Sequence, residues 1–310
     1  MSGQSAAEAA TTTVNMISTL LVVALFLGQS LTYSRGQNIS PAYEGWEELP
    51  DGRYFVFGYM NRNWEEEIDV PAGPDNSFNI GRADQGQPTH FLPRRNRFVF
   101  RVPVPKGFGE KDELIWTLTT HGKTEKAYAT LRTDYRIDDV VKASETGALG
   151  AGTSSPEVRA NKAPSLRIDQ TKQHTVKVGE PLTLIADVED DGVPKRRLQG
   201  AAAGALAARA ATVPPTRITV GKNVGLHVSW FVYRGSGQVA FDPPQVKVWE
   251  DTRAGANSPW APIWIPDPLP ADGKVTTHVI FRQPGTYVLR CRADDGALTS
   301  DQEITITVMP

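Results

Sequence analysis

Pro284-Gly-Thr-Tyr-Val-Leu-Arg-Cys-Arg-Ala-Asp-Asp-Gly296 is the stretch whose reading decides the fold. Tyr287, Leu289, Cys291 and Ala293 fall on one side of a period-2 strand, and Val288, Arg290 and Arg292 on the other. Such alternation lets a strand bury one face and wet the other. A Pro-Gly turn opens the segment and an Asp-Asp-Gly turn closes it. The expectation is a sandwich strand with its apolar face in the core and its arginines in water.

Neighbouring segments repeat the pattern. Residues 165–168 form a first strand, and Thr175-Val-Lys-Val-Gly-Glu-Pro181 a strand and turn. Leu182, Leu184, Ala186 and Val188 make an inward face that ends at Glu189-Asp-Asp-Gly192. Leu226-His-Val-Ser-Trp-Phe-Val-Tyr233 follows, with Val228 or Trp230 inward, then 274–282, and Ile304, Ile306 and Val308 close the chain. Val178-Gly-Glu-Pro-Leu-Thr-Leu184 taken with Pro284-Gly-Thr-Tyr-Val-Leu289 resembles the immunoglobulin-like, cadherin-like and PKD-like modules of exported bacterial proteins. The resemblance covers about half the chain. It implies a core Trp at Trp230, whereas the PKD-type Trp-x-Phe-Gly-Asp-Gly signature is altered to Trp230-Phe-Val-Tyr-Arg-Gly235. The paired cysteines of antibody-type domains are missing, with Ala186 standing where a partner for Cys291 is expected.

The N-terminal half is also strand-like. Residues 54–59 carry aromatic side chains on both faces, and Phe98, Phe100, Val102 and Val104 alternate, with Pro103 and Pro105 marking an edge or strand end. Leu114, Trp116 and Leu118 line a strand that turns at Thr119-Thr-His-Gly-Lys-Thr124 and returns through Ala127, Ala129 and Leu131. Asp84-Gln-Gly-Gln-Pro-Thr-His-Phe-Leu-Pro-Arg-Arg-Asn-Arg97 is similar to segments of uncharacterised exported bacterial proteins, which implies no activity. The fold class is therefore all-β: two β-sandwich domains, the C-terminal one Ig-like/PKD-like, after an N-terminal apolar signal or anchor helix. The divisions are 1–36 for that helix, 38–140 and 164–310 for the sandwiches, and 141–163 for a Gly/Ala/Ser linker. An Ala-rich insertion at 195–220 and a Pro/Trp-rich loop at 249–272 interrupt the second sandwich.

At 310 residues two domains are the default. The net charge of −2 gives no bulk attraction to nucleic acid. Cys291 is the only cysteine, so no intrachain disulfide can form and the cores must hold the fold. Residues 17–27 (Ile-Ser-Thr-Leu-Leu-Val-Val-Ala-Leu-Phe-Leu) read as a secretory signal core, since such cores run ~7–15 residues. The competing readings are an uncleaved membrane anchor and a buried core helix. Either of the first two places the remainder outside the cytoplasm: periplasmic, extracellular or on the outer membrane face, with the N-terminal helix as a membrane tether in the anchor reading.

Candidate sites are few. Glu189, Asp190 and Asp191 should meet Asp294 and Asp295 at one end of the sandwich, where converging carboxylates could hold Ca²⁺; the alternative is plain turn chemistry. Trp249, Trp260 and Trp264 lie among prolines and could stack on sugar or peptide, or else cap the sandwich with buried rings. Arg94, Arg95 and Arg97 beside His90 read as a solvated turn before a strand or an anion contact. Glu65, Glu66 and Glu67 read as a solvated strand edge, because adjacent residues point to opposite faces. His90, His121, His174, His227 and His278 show no metal-ligand spacing, and no nucleophile elbow or phosphate loop occurs, so no catalytic residue is named. The leading expectation is an exported, non-enzymatic binding or scaffold protein with a protein or polysaccharide partner. The alternatives are a carbohydrate-binding accessory protein that uses exposed Trp, and a hydrolase with its site between the two domains.

Overall fold

Short alternating runs separated by turns pair antiparallel because each turn returns the chain beside the strand it has just left. The computed structural model describes residues 33–145, 156–168, 171–194, 225–235, 238–249 and 268–310. The apolar run 17–27, all of the 195–220 insertion, Trp260 and Trp264 lie outside these residues. Among the described residues no helix is long and apolar enough to cross a membrane.

The first half contributes β1 (Ile39–Leu49), β2 (Gly52–Asn61), β3 (Ile68–Asp69), β4 (Asn76–Phe78), β5 (His90–Phe91), β6 (Arg94–Pro103), β7 (Leu114–Thr120) and β8 (Lys123–Ala129). They form a β1-β2-β6 sheet, a β4-β7-β8 sheet and a β3-β5 ribbon. The core between them is aromatic. Trp116 meets Phe100 edge-on at 5.0 Å between centroids, and Phe100 stacks on Phe57 at 5.4 Å. The β7–β8 turn is made by His121 and Gly122, with φ of 49° and 71°, the two positive values a two-residue hairpin needs. Gly58 lets two strands and a carboxylate crowd together: a Cβ there would lie 2.0 Å from Glu44 Oε1 and 2.5 Å from the Asn96 carbonyl.

Two expectations for this half are corrected. Arg94, Arg95 and Arg97 are not a turn before a strand but the start of β6, because the ladder with β2 runs on through Asn61↔Arg94 and Met60↔Arg95. Glu65, Glu66 and Glu67 do not form a strand edge; they lie between β2 and β3, where irregular backbone frees Glu66 and Glu67 to reach His121 and His90.

The connection between the halves begins with helix α1 (Asp139–Glu145) and includes a four-residue helix α2 (Pro156–Arg159), where a plain linker was expected. Ala143 of α1 is buried with Ala297 and Leu298, so the connection packs onto the second sandwich.

The second half contributes β9 (Ser165–Ile168), β10 (Gln173–Lys177), β11 (Pro181–Glu189), β12 (His227–Arg234), β13 (Val239–Asp242), β14 (Lys274–Phe281), β15 (Gly285–Asp294) and β16 (Thr299–Met309). One sheet runs β13-β14-β11-β9 and the other β10-β16-β15-β12. β10 pairs parallel with β16 while every other described pair of this half is antiparallel. Two facing sheets of this order make an Ig-like sandwich. Leu184, Ala186, Val279, Phe281, Leu289, Cys291 and Ala293 are wholly buried between them, and Trp230 is 1% exposed. Tyr287 donates its hydroxyl to the Gln283 carbonyl at 3.1 Å, the tyrosine corner of such sandwiches. Counted from that corner, the Ig cysteine position is Leu289, so Cys291 sits one pleat beyond it and burial pushes its thiol well up.

Trp116→Ala is expected to lower unfolding free energy by about 3–5 kcal/mol, as for other buried Trp truncations. Tyr287→Phe, which removes only the corner hydrogen bond, should lower it by about 1 kcal/mol. Urea unfolding monitored by circular dichroism checks both, and a Tyr287→Phe loss as large as that of Trp116→Ala would contradict the assignment.

Candidate functional site

The arginines of β15 do not face water. Arg290 is 5% exposed and Arg292 8% exposed, because the first half lies against the outer face of the β15–β12 sheet. The alternation expected an inner and a wet face; both faces are buried, one in the core and one in a seam. Arg290 reaches across to donate to the Val99 carbonyl of β6. Its guanidinium lies 3.5 Å from the centroid of the Tyr233 ring and is bonded to Glu303. Arg292 and Asp301 form a two-bond fork at 2.8 Å each. Register makes these pairs: Arg290 stands opposite Glu303, and Arg292 opposite Asp301. Burial opposes the charge on Asp301, but Arg292, Arg290 and the Arg101 of β6 outweigh it and hold the carboxyl below its ordinary range.

The outer edge of β12 is closed by the segment before β5. Thr89 donates its amide to the Tyr233 carbonyl at 3.3 Å, and Gly235 N–H reaches the Thr89 hydroxyl at 3.2 Å. Tyr233 donates its hydroxyl to the Gly86 carbonyl, and Arg234 holds Asp84 with two bonds of 3.0 and 2.8 Å. Closing an edge strand this way removes a template for unwanted pairing.

His90 sits beside this contact, 7% exposed. Its Nδ1 is 2.7 Å from Asp69 Oδ1 and its Nε2 is 3.1 Å from Glu67 Oε2. Carboxylates accept only, so both ring nitrogens donate and the ring is an imidazolium. Burial pulls its pKa down, and the bonds to Asp69 and Glu67 with their charges more than reverse this, raising it to about 9. Two open clefts run along the seam. One, of about 410 Å³, has Glu67 and His90 on one wall and Phe231, Phe241 and Trp249 on the other. The second, of about 540 Å³, has Arg97, Phe98, Arg101 and Lys142 facing Ser300 and Asp301. In the second, Arg101 and Lys142 share Glu47, Arg97 binds Glu145 and Arg292 binds Asp301, so its cations are matched by carboxylates.

The expected site residues are placed as follows. Asn161 donates to Asp295 at 3.0 Å and the amide of Lys162 to Asp191 at 3.2 Å, so consecutive residues tie the two acidic turns together at one end of the sandwich. Asp190 accepts from the Gly192 amide, Asp191 also from Val193, Asp294 from Gly296, and Asp295 from Ala297 and Leu298. Glu189 stands 3.7 Å from Arg167. These carboxylates thus shape their own turns, and among the described residues no group of three or more His, Cys, Asp or Glu is placed to hold a metal. Trp249 is half-buried in the first cleft, with Lys247 Nζ 5.3 Å from its ring centroid. Sequence reading missed Arg290, Arg292 and the Glu67–His90–Asp69 cluster. The one available signal was Arg290-x-Arg292 followed by Asp301-x-Glu303, spaced to pair across a hairpin, but that pattern is equally natural on a wet face.

No protein-family model and no curated protein matches this chain. Solved structures similar to it include titin M4 (11% identity, 48% of this chain and 98% of that one, TM-score 0.22). Others are the N-terminal eight Ig domains of Down Syndrome Cell Adhesion Molecule (10%, 87% and 27%, 0.23) and the S-layer protein SbsC (8%, 88% and 28%, 0.24). At these TM-scores the likeness carries no inference, and the fold assignment stands on strand order and register.

Arg290→Met should cost about 3–5 kcal/mol in unfolding free energy, because it breaks a buried, fully bonded charge. Arg136→Met, whose partner Glu48 is exposed like itself, should change it by less than ~1 kcal/mol; equal effects in urea unfolding would refute a buried seam. The His90 pKa lies above its ordinary 6.5, so its stabilisation is complete below about pH 6.5 and is lost as pH rises through 9. Wild-type unfolding free energy should fall on the order of 3 kcal/mol more than that of His90→Gln between pH 6 and 10, and parallel pH profiles would remove the ion-pair assignment.

Proposed function

We propose that this chain is an exported, non-enzymatic binding or scaffold protein of the bacterial cell envelope or exterior. It presents two β-sandwiches held in one fixed arrangement, the second Ig-like/PKD-like. The observation that carries the reading is the seam. Residues Arg35–Pro310 form one compact unit, and Arg290, Tyr233, Thr89 and Arg234 join its two sheets systems through buried, satisfied bonds. An interface of this kind fixes relative orientation, which serves a protein that displays a composite surface. The histidine at the seam favours binding over hydrolysis, since both of its nitrogens are engaged by carboxylates and neither is left to act as a base. The apolar segment 17–27 supports export.

The full chain, produced in a bacterial host and fractionated, should appear outside the cytoplasm and co-sediment with insoluble envelope preparations. It should release no reducing sugar or peptide from them. Retention in the cytoplasm, or turnover of envelope material by the purified chain, would overturn the reading.

A further inference from the structure

We infer that the 410 Å³ cleft between β12 and β13 is a binding site for a saccharide unit. This rests on the binding-protein reading above and names its ligand class.

Among the described residues β12 and β13 are the outermost strands of opposite sheets, so the cleft lies along that side of the sandwich. Its volume lies within the ~300–1,000 Å³ typical of small-ligand pockets, and its walls have the composition of such pockets: aromatic rings with a few polar groups. Phe231, Phe241 and Trp249 are each only half-buried, which leaves ring surface for the apolar C–H face of a sugar.

One donor sets the polar requirement. The indole Nε1–H of Trp249 is buried and has no acceptor, and Trp249 is part of the wall of this cleft. Trp230, 1% exposed, packs in the core between the sheets and is not offered to a ligand. Native structures contain few buried donors without a partner. A ligand hydroxyl oxygen supplies an acceptor for Trp249. A donor that lacks an acceptor, next to aromatic faces, calls for an uncharged oxygen-rich ligand.

Other ligand classes fit less well. A cation finds only Glu67 on this wall, and that carboxylate is already bonded to His90. An added peptide strand needs the free edge of β12, but the Trp230 amide is taken by the Gln245 side chain at 2.8 Å, and Gln245 is itself anchored to the Pro243 carbonyl. Hydroxyl recognition by side chains remains.

The experiment is isothermal titration of the full chain with cellohexaose, chitohexaose and mannohexaose, with tryptophan fluorescence in parallel. At least one is expected to bind and change the fluorescence. Trp249→Phe, which keeps the ring and removes the N–H, should weaken that binding 3- to 10-fold, and Phe241→Ala by 10-fold or more. Tyr128→Ala, on an exposed ring of the first sandwich, should leave it unchanged. Failure of all three sugars to bind, or equal affinity in Trp249→Phe and wild type, overturns the inference. If the chain still co-sediments with envelope material in that case, only the saccharide site has failed; if it sediments with nothing, the binding-protein reading has failed as well.

Discussion

A guanidinium buried where two sandwiches meet must be satisfied on every side, and Arg290 is. Its neighbours are a carboxylate across the hairpin, an aromatic face below and a backbone carbonyl from the other half of the chain. Removing water from a charge is expensive, and such a group persists only where excellent geometry compensates. The requirement propagates outward. Tyr233 must lie flat under Arg290, and its hydroxyl is then set against Gly86. Gly235 must lack a side chain, because a Cβ there would come within 2.7 Å of the Tyr287 ring. The seam is therefore continuous with the tyrosine corner that orders the second core.

The same constraint positions the clefts. With the first sandwich docked on β12, Glu67 and His90 become one wall of a cleft whose other wall is formed by Phe231, Phe241 and Trp249 of the second. His90 can stay charged there because Asp69 and Glu67 lie on either side of it. Neither half contains this site by itself, which is why its polar and aromatic parts come from residues 67–90 and 230–249.

Much of the second core was legible from residue order. Tyr287, Leu289, Cys291 and Ala293 face inward as their alternation requires, as do Leu184, Ala186, Val188 and Trp230. The hairpin at His121-Gly122 was legible too, because only a few residue types accept two positive φ values in succession. Less visible were the start of β6 at Arg94, where a ladder overrides a charged run, and the parallel pairing of β10, which depends on a strand over 120 residues away in sequence. The acidic turns were placed correctly at one end, but the direction of each carboxylate is set by the amides of its own turn.

Sequence by itself determined periodicity, and periodicity is local: each residue's face follows from its neighbour two positions away. That was enough for strands, turns and the inner faces of the sandwiches. It could not determine what meets an outer face. Arg290 and Arg292 read as solvent-facing because charge beside an apolar alternation is what a wet face looks like. Only the tertiary structure, which brings Val99 against Arg290 across 191 residues of chain, turns that face into the seam and the clefts beside it.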